Sequence, residues 1–120
     1  MSFNFRESLE CLNRSHYYEE IAEKLLKKTV EELEERQIPV EDIDYLEIAA
    51  INTGLYCTIK SYYTCGNDHH NEICSVEMGC RLNYADAESV VSIIEKRLKE
   101  EEFLCVNQTC FKEKCIKVTL

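Results

Sequence analysis

The sequence predicts an α+β fold in which helices cover one face of an antiparallel sheet of about five strands. Apolar residues recur at helical spacing in two long segments, and they alternate with polar residues in the shorter ones. The order of the segments is helix region, three strands, helix and two strands, and strands that follow one another directly favour antiparallel pairing. Residues 1–120 are expected to form a single α+β domain, because a chain of this length can bury one core.

The first helical region is predicted over residues 4–37. Near its start, three apolar residues fall at i, i+4 and i+7, which predicts a short helix capped by Asn4: Phe5, Leu9 and Leu12. The segment "HYYEEIAEKLLKKTVEELEERQ" continues the helical spacing. Pro39 ends it, because the residue before a proline is pushed out of the helical conformation. Whether the region is one helix or two, with a break near Asn13, stays open.

The strands come next. "DYLEIAAI" and "LYCTIKSYYT" flank the turn signal "NTG" and predict a hairpin. In the second strand the odd positions Leu55, Cys57 and Ile59 are expected to face the core, because successive side chains of a strand point to opposite faces. "NEICSVEMGCRL" is predicted to be a third strand, antiparallel to the second, with even positions such as Cys74 and Val76 facing the core.

A second helix is predicted over residues 84–101. Asn83 is suited to cap it and Asp86 stands in the capping-box position. Its apolar stripe comprises Ala87, Val90, Val91, Ile94 and Leu98. Two closing strands follow, "FLCV" and "CIKVTL", the second with Ile116, Val118 and Leu120 on its core face.

Charge and composition limit the function. A net charge of −9 argues against direct nucleic-acid binding, which needs clustered Lys and Arg, and against anionic membranes. No apolar run approaches the roughly 18 residues of a membrane span, and the first residues lack the apolar block of a signal peptide. A cytoplasmic protein is therefore expected, in the host cytoplasm if the chain is viral. Its eight cysteines are then expected to be thiols or metal ligands rather than disulfides.

The stretch "CGNDHHNEIC", residues 65–74, has three interpretations: a hairpin tip, a zinc site or a thiol enzyme. Strand parity permits a register that pairs Cys65 with Cys74, and another that pairs Ser61 with Cys74. The first would place two thiolates near the loop histidines, so the candidate zinc ligands are Cys65, His69, His70 and Cys74. A hairpin tip without metal or other cofactor is the favoured interpretation. No catalytic motif accompanies the cysteines, so no enzyme activity is expected.

The segment "EELEERQIPVEDIDYLE", residues 31–47, holds most of the net charge of the chain. Eight acids stand against one base, Arg36, which leaves the segment at −7. Acids near a helix C-terminus oppose the helix dipole, and like charges three or four residues apart cost about 0.2–0.5 kcal/mol each. The segment is either a solubilising surface or a docking surface for a basic partner.

The predicted function is that of a small acidic interaction protein that inhibits a basic, nucleic-acid-binding protein by occluding its surface. Phage anti-defence proteins and immunity proteins share this composition, although composition alone carries the analogy. A zinc-stabilised module built on the Cys65–Cys74 hairpin is the alternative, and a homodimer is compatible with the sequence. The predicted partner-binding residues are Glu31, Glu34, Glu35, Glu41, Asp42, Asp44, Glu47, Tyr56 and Tyr62.

Overall fold

A computed structural model describes residues 4–6, 9, 14–52, 57–66, 70–78, 83–110 and 113–120. Among these residues the predicted α+β fold is confirmed. The elements in chain order are helix α1 (Arg14–Glu35), a 3-10 turn (Val40–Asp42), strands β1 (Tyr45–Asn52), β2 (Cys57–Thr64) and β3 (His70–Met78), helix α2 (Tyr84–Glu100), and strands β4 (Leu104–Cys110) and β5 (Glu113–Thr119). Phe5, Arg6 and Leu9 are also helical, but Asn13, where the sequence leaves open whether the region is one helix or two, lies outside the described residues.

The five strands form one sheet in the order β3-β2-β1-β5-β4, and all the pairings are antiparallel. Both helices pack on the same face of the sheet, called here the helix face, where Leu25 of α1 and Ile94 of α2 are fully buried. The strands contribute alternate residues to this core: Ile48, Ala50, Cys57, Ile59, Val76, Met78, Ile116 and Val118. The opposite face of the sheet is called the outer face, and none of the described elements covers it.

Helix α2 begins with the predicted capping box. The Asn83 side chain accepts a hydrogen bond from the Asp86 backbone N–H at 3.0 Å, and the Asp86 carboxylate accepts one from the Asn83 N–H at 2.8 Å. The hydroxyl of Tyr18 also donates to this carboxylate. The buried Asp86 therefore joins the start of α2 to α1.

Both helices end in a Schellman motif, in which two backbone N–H groups bond back to carbonyls of the last turn. In α1 the Ile38 N–H donates to the Leu33 carbonyl at 3.0 Å, and in α2 the Phe103 N–H donates to the Leu98 carbonyl at 2.9 Å. The motif needs one residue in the left-handed conformation, and a non-glycine residue takes that place in each helix: Gln37 (φ 55°) and Glu102 (φ 70°). Helix α1 thus ends at its own C-terminal motif, before Pro39 is reached.

The register of β2 and β3 is the second of the two that strand parity permits. Ser61 lies opposite Cys74, and Cys57 lies opposite Met78. Between Ser61 and Tyr62 the register shifts, since Tyr62 pairs with Glu72 and leaves Ile73 as an extra residue of β3. This β-bulge changes which residues of β3 point to which face. Even-numbered residues up to Glu72 are on the outer face, whereas even-numbered residues from Cys74 onward are on the helix face.

The closing strands differ from the prediction in extent. Strand β4 continues to Cys110, well beyond "FLCV", because each of its residues pairs with β5. Leu120 was expected on the core face, but it lies after the end of β5 and its side chain is 41 % exposed. Leu55 and the end of the predicted third strand lie outside the described residues.

No helix of the described chain is long and apolar enough to cross a membrane.

Candidate docking surface

Five exposed acids lie in two consecutive elements, the end of α1 and the 3-10 turn, and are called here the acidic tip: Glu31, Glu34, Glu35, Glu41 and Asp42. In the part of the chain that the structure describes, none of their carboxylates forms a hydrogen bond or an ion pair. The last turn of α1 contains no basic residue. The dipole of α1 therefore adds to the negative potential of the tip.

Arg36, the single base of the segment, is engaged in holding the end of α1 against the sheet. Its guanidinium donates to the backbone carbonyls of Glu72 at 3.0 Å and Ile73 at 3.2 Å, which are the two residues at the bulge of β3. Its Nε also donates to the carboxylate of Glu32 at 3.0 Å. Arg36 and Glu32 neutralise each other, and neither offsets the five carboxylates of the tip.

Asp44 fixes the other flank of the tip. Its carboxylate accepts a hydrogen bond from the Gly66 N–H at 2.7 Å, and its own N–H donates to the Thr64 carbonyl at 2.8 Å. Gly66 has φ +69°, a conformation that favours glycine, so the turn after β2 is shaped to present this N–H. Asp44 is exposed, as predicted, but its carboxylate stabilises the turn. The backbone on both sides of the tip is thus attached to the hairpin of β2 and β3.

Glu47 was predicted to belong to the docking surface, but the structure places it elsewhere. It lies on the outer face of β1 and is 7 % exposed. One carboxylate oxygen is 3.2 Å from His70 Nδ1, and the thiol of Cys115 donates to the other at 3.7 Å. Glu47 is therefore the buried member of a separate polar cluster on the outer face and is not one of the exposed acids.

Of the two tyrosines predicted to bind a partner, the structure describes one. Tyr62 lies on the outer face, as its position opposite Ile59 in β2 predicts, and it is half-buried. Its ring meets the His70 ring edge-on, with the centroids 6.5 Å apart. Tyr62 therefore belongs with the Glu47 cluster rather than with the acidic tip. Tyr56 lies outside the described residues.

The observed register separates the candidate zinc ligands. Cys65 is exposed beyond the end of β2, whereas Cys74 is on the helix face with its sulfur 3.3 Å from Ser61 Oγ and 3.4 Å from Thr29 Oγ1. His70 is on the outer face, opposite to Cys74, and His69 lies outside the described residues. Within the described ranges no group of three His, Cys, Asp or Glu side chains is placed to hold a metal ion.

Two buried thiols have a raised pKa, whereas an activated nucleophile has a lowered one. Burial raises the pKa of Cys57, and the charge of Asp86 raises it further. Burial also raises the pKa of Cys105, and the charge of Glu95 raises it further, whereas the charge of Lys99 lowers it by less. A reactive cysteine needs a lowered pKa, so these two thiols stay protonated at neutral pH.

The sequence does not predict the cluster on the outer face, which joins residues of four strands. Besides Glu47, His70 and Cys115, this face carries an ion pair between Lys60 and Glu72 at 2.7 Å. Its components come together only because the bulge turns His70 and Glu72 to the outer face. The alternation of β1 and β2 predicts that Glu47 and Lys60 share one face of the sheet. It does not predict their partners on β3, His70 and Glu72, because the bulge decides the face of those two residues.

Comparison of the chain with protein-family models, curated proteins and solved structures finds no match.

Proposed function

We propose that the protein binds a basic surface of another protein through the acidic tip and occludes that surface. The observation that carries the proposal is the set of five exposed carboxylates without a partner in the described chain, on a backbone attached at both flanks. Lysine and arginine side chains are the groups that complement such a surface.

The contacts of Arg36 and Asp44 support a docking role over simple solubility. A solubilising surface does not require fixed positions, whereas a docking surface gains affinity when its groups are ordered before binding. Arg36 bonds to two carbonyls of β3 and Asp44 bonds to the Gly66 N–H, so the tip is ordered without a partner. A basic partner would also relieve the repulsion between neighbouring acids, about 0.2–0.5 kcal/mol per pair on a helix.

The class of partner follows from the charge. A surface rich in lysine and arginine is most often one that holds nucleic-acid phosphates, so occlusion would inhibit nucleic-acid binding. The proposal places the protein among small inhibitors of the anti-defence or immunity type, acting in the cytoplasm, or in the host cytoplasm if the chain is viral. That placement rests on charge and size, by analogy.

The test is a pair of charge-matched variants. In the tip variant Glu34, Glu35, Glu41 and Asp42 become Lys, and in the control variant Glu20, Glu23, Glu77 and Glu88 become Lys. Glu88 is half-buried and the other seven positions are exposed, and both variants change the net charge equally. Each protein, with the wild type, is immobilised and exposed to cell extract, and the affinity of any captured protein is then measured at two salt concentrations.

We expect the tip variant to lose about tenfold or more in affinity, equivalent to about 1.4 kcal/mol, while the control retains binding. Added nucleic acid is expected to compete, because it would occupy the same basic surface of the partner. Equal loss in both variants would assign binding to net charge alone. Unchanged affinity in the tip variant would remove the acidic tip as the docking site.

A further inference from the structure

The two edges of the sheet are unequal. Strand β3, at one edge, is interrupted by the bulge, and two basic side chains at α1 bond to its backbone carbonyls. Lys28 donates to the Ser75 carbonyl at 3.1 Å, and Arg36 donates to the carbonyls of Glu72 and Ile73. Bulges and cationic side chains are the devices by which proteins prevent an edge strand from pairing with another chain. The β3 edge is therefore closed.

Strand β4, at the other edge, has none of these devices. Its seven residues, "LCVNQTC", include no charged residue and no proline, and they pair with β5 without a break in register. In the described chain no side chain bonds to the backbone of residues 104–107 from outside the sheet. At about 3.3 Å per residue the strand offers an edge of about 23 Å for pairing.

Apolar side chains accompany this open edge. Leu104 and Val106 point to the outer face of β4, and they are 65 % and 50 % exposed. An uncharged edge strand with exposed branched residues is the type of surface that accepts another strand.

We propose that β4 pairs antiparallel with β4 of a second copy of this chain, so that the dimer has one continuous ten-stranded sheet. Pairing along the full strand would centre the two-fold axis on Asn107, so that Val106 of each copy lies opposite Gln108 of the other and the two exposed Val106 residues are diagonal neighbours on the outer face. The same symmetry would keep the helices of both copies on one face of the joined sheet.

Charge complementarity favours a second copy over an unrelated strand. Three exposed acids, Glu100, Glu101 and Glu102, come immediately before β4. At the far end of the strand Lys114 pairs with Thr109 and Glu113 pairs with Cys110, and the segment "FKEKCIK", residues 111–117, is net basic with three lysines against that one acid. Antiparallel pairing brings the beginning of β4 in one copy to the far end of β4 in the other. The acids of each copy therefore approach the Lys114 of its partner, and the surface complements itself.

The proposal is tested by sedimentation velocity of the full chain over a series of concentrations. The wild type is expected to sediment as a dimer at high concentration and Val106→Lys as a monomer, because a lysine on an edge strand opposes pairing. Val30→Lys is the matched control, because it replaces another exposed valine, 64 % accessible, on α1. It should dimerise like the wild type.

Leu104→Lys, at the neighbouring outer-face position, is the second variant if Val106→Lys does not fold. Amide hydrogen exchange provides the local measurement: the amides of residues 104–110 should be protected in the wild-type dimer and should exchange faster in the lysine variant. A wild type that stays monomeric at every soluble concentration would overturn the proposal. A lysine variant that still forms the dimer would do the same, because the interface would then lie elsewhere.

Discussion

Gln37 and Glu102 adopt the left-handed conformation that glycine usually supplies at a helix C-terminus. For a residue with a Cβ atom this conformation costs about 1–2 kcal/mol. The chain contains only three glycines, and neither helix ends at one of them. At both ends the two backbone hydrogen bonds of the Schellman motif offset the cost, and they end the helix and direct the chain to the sheet.

Replacing Gln37 with glycine should therefore stabilise the protein. Relief of the left-handed cost, about 1–2 kcal/mol, is offset by about 0.4–1 kcal/mol of extra chain entropy in the unfolded state, for a net gain of about 0.5–1 kcal/mol. Urea unfolding measures the change. Lys24→Gly, at an exposed interior position of α1, is the control and should lower stability by about 1 kcal/mol. A loss of stability in both variants would contradict the cost assigned to Gln37.

Residues also differ in how well the sequence predicts their surroundings. The exposure of Glu34 and Glu41 follows from a local run of charge and was predicted correctly. The burial of Glu47 depends on His70 and Cys115, which are distant in the sequence and reach it only through the sheet. Local charge density therefore indicates where the acidic tip lies but not which acid of the segment 31–47 the fold buries.

At the scale of elements, Arg36 links the end of α1 to the bulge of β3. Its two bonds are made to the carbonyls of Glu72 and Ile73, beside the point where the register shifts. A planar guanidinium can reach both carbonyls at once, whereas a lysine ammonium is a single point charge.

We therefore expect Arg36→Lys to weaken this link and Arg36→Ala to remove it. The alanine variant should lose about 1–2 kcal/mol of unfolding free energy, since each hydrogen bond contributes about 0.5–1.5 kcal/mol. Amide hydrogen exchange should also quicken in the part of β3 next to the bulge. Lys27→Ala is the control, because it removes only an exposed pair with Glu23, at 3.5 Å, worth less than about 0.5 kcal/mol. Equal effects of the two alanine variants would show that Arg36 adds only an ordinary surface charge.

The periodicity of the sequence predicted the helices and the strands, and the capping box at Asn83 was predicted residue by residue. It did not predict the register of β2 with β3, because parity admits both Cys65 and Ser61 as the partner of Cys74. The bulge at Ile73 was also beyond prediction, since an extra residue reverses the alternation without leaving a motif in the sequence.

At the scale of the whole molecule, the buried thiols link stability to pH. Burial raises the pKa of Cys57 and of Cys105 in the folded state above the unfolded value of 9.0. Below that value both states hold the thiol proton, so the stabilisation is fully present. Above it the unfolded chain releases the proton first, and stability is lost as the pH rises toward the folded pKa.

The expected result is an unfolding free energy that is independent of these thiols at neutral pH and falls with their ionisation above pH 9.0. Lysine and tyrosine also titrate in that range, so the informative quantity is the difference between the wild type and a Cys57→Ala, Cys105→Ala variant. Urea unfolding at a series of pH values under reducing conditions measures it. A constant difference across the series would mean that the two thiols are not linked to folding.

The strand order β3-β2-β1-β5-β4 also has a consequence for biosynthesis. A ribosome makes β1, β2, β3 and both helices before β5, yet β5 is the strand that joins β1 to β4. Until Ile116 and Val118 have left the exit tunnel, β1 has an open edge and β4 has no neighbour in the sheet. The nascent chain is therefore expected to hold an incomplete sheet that is prone to aggregation, and to close it in one late step.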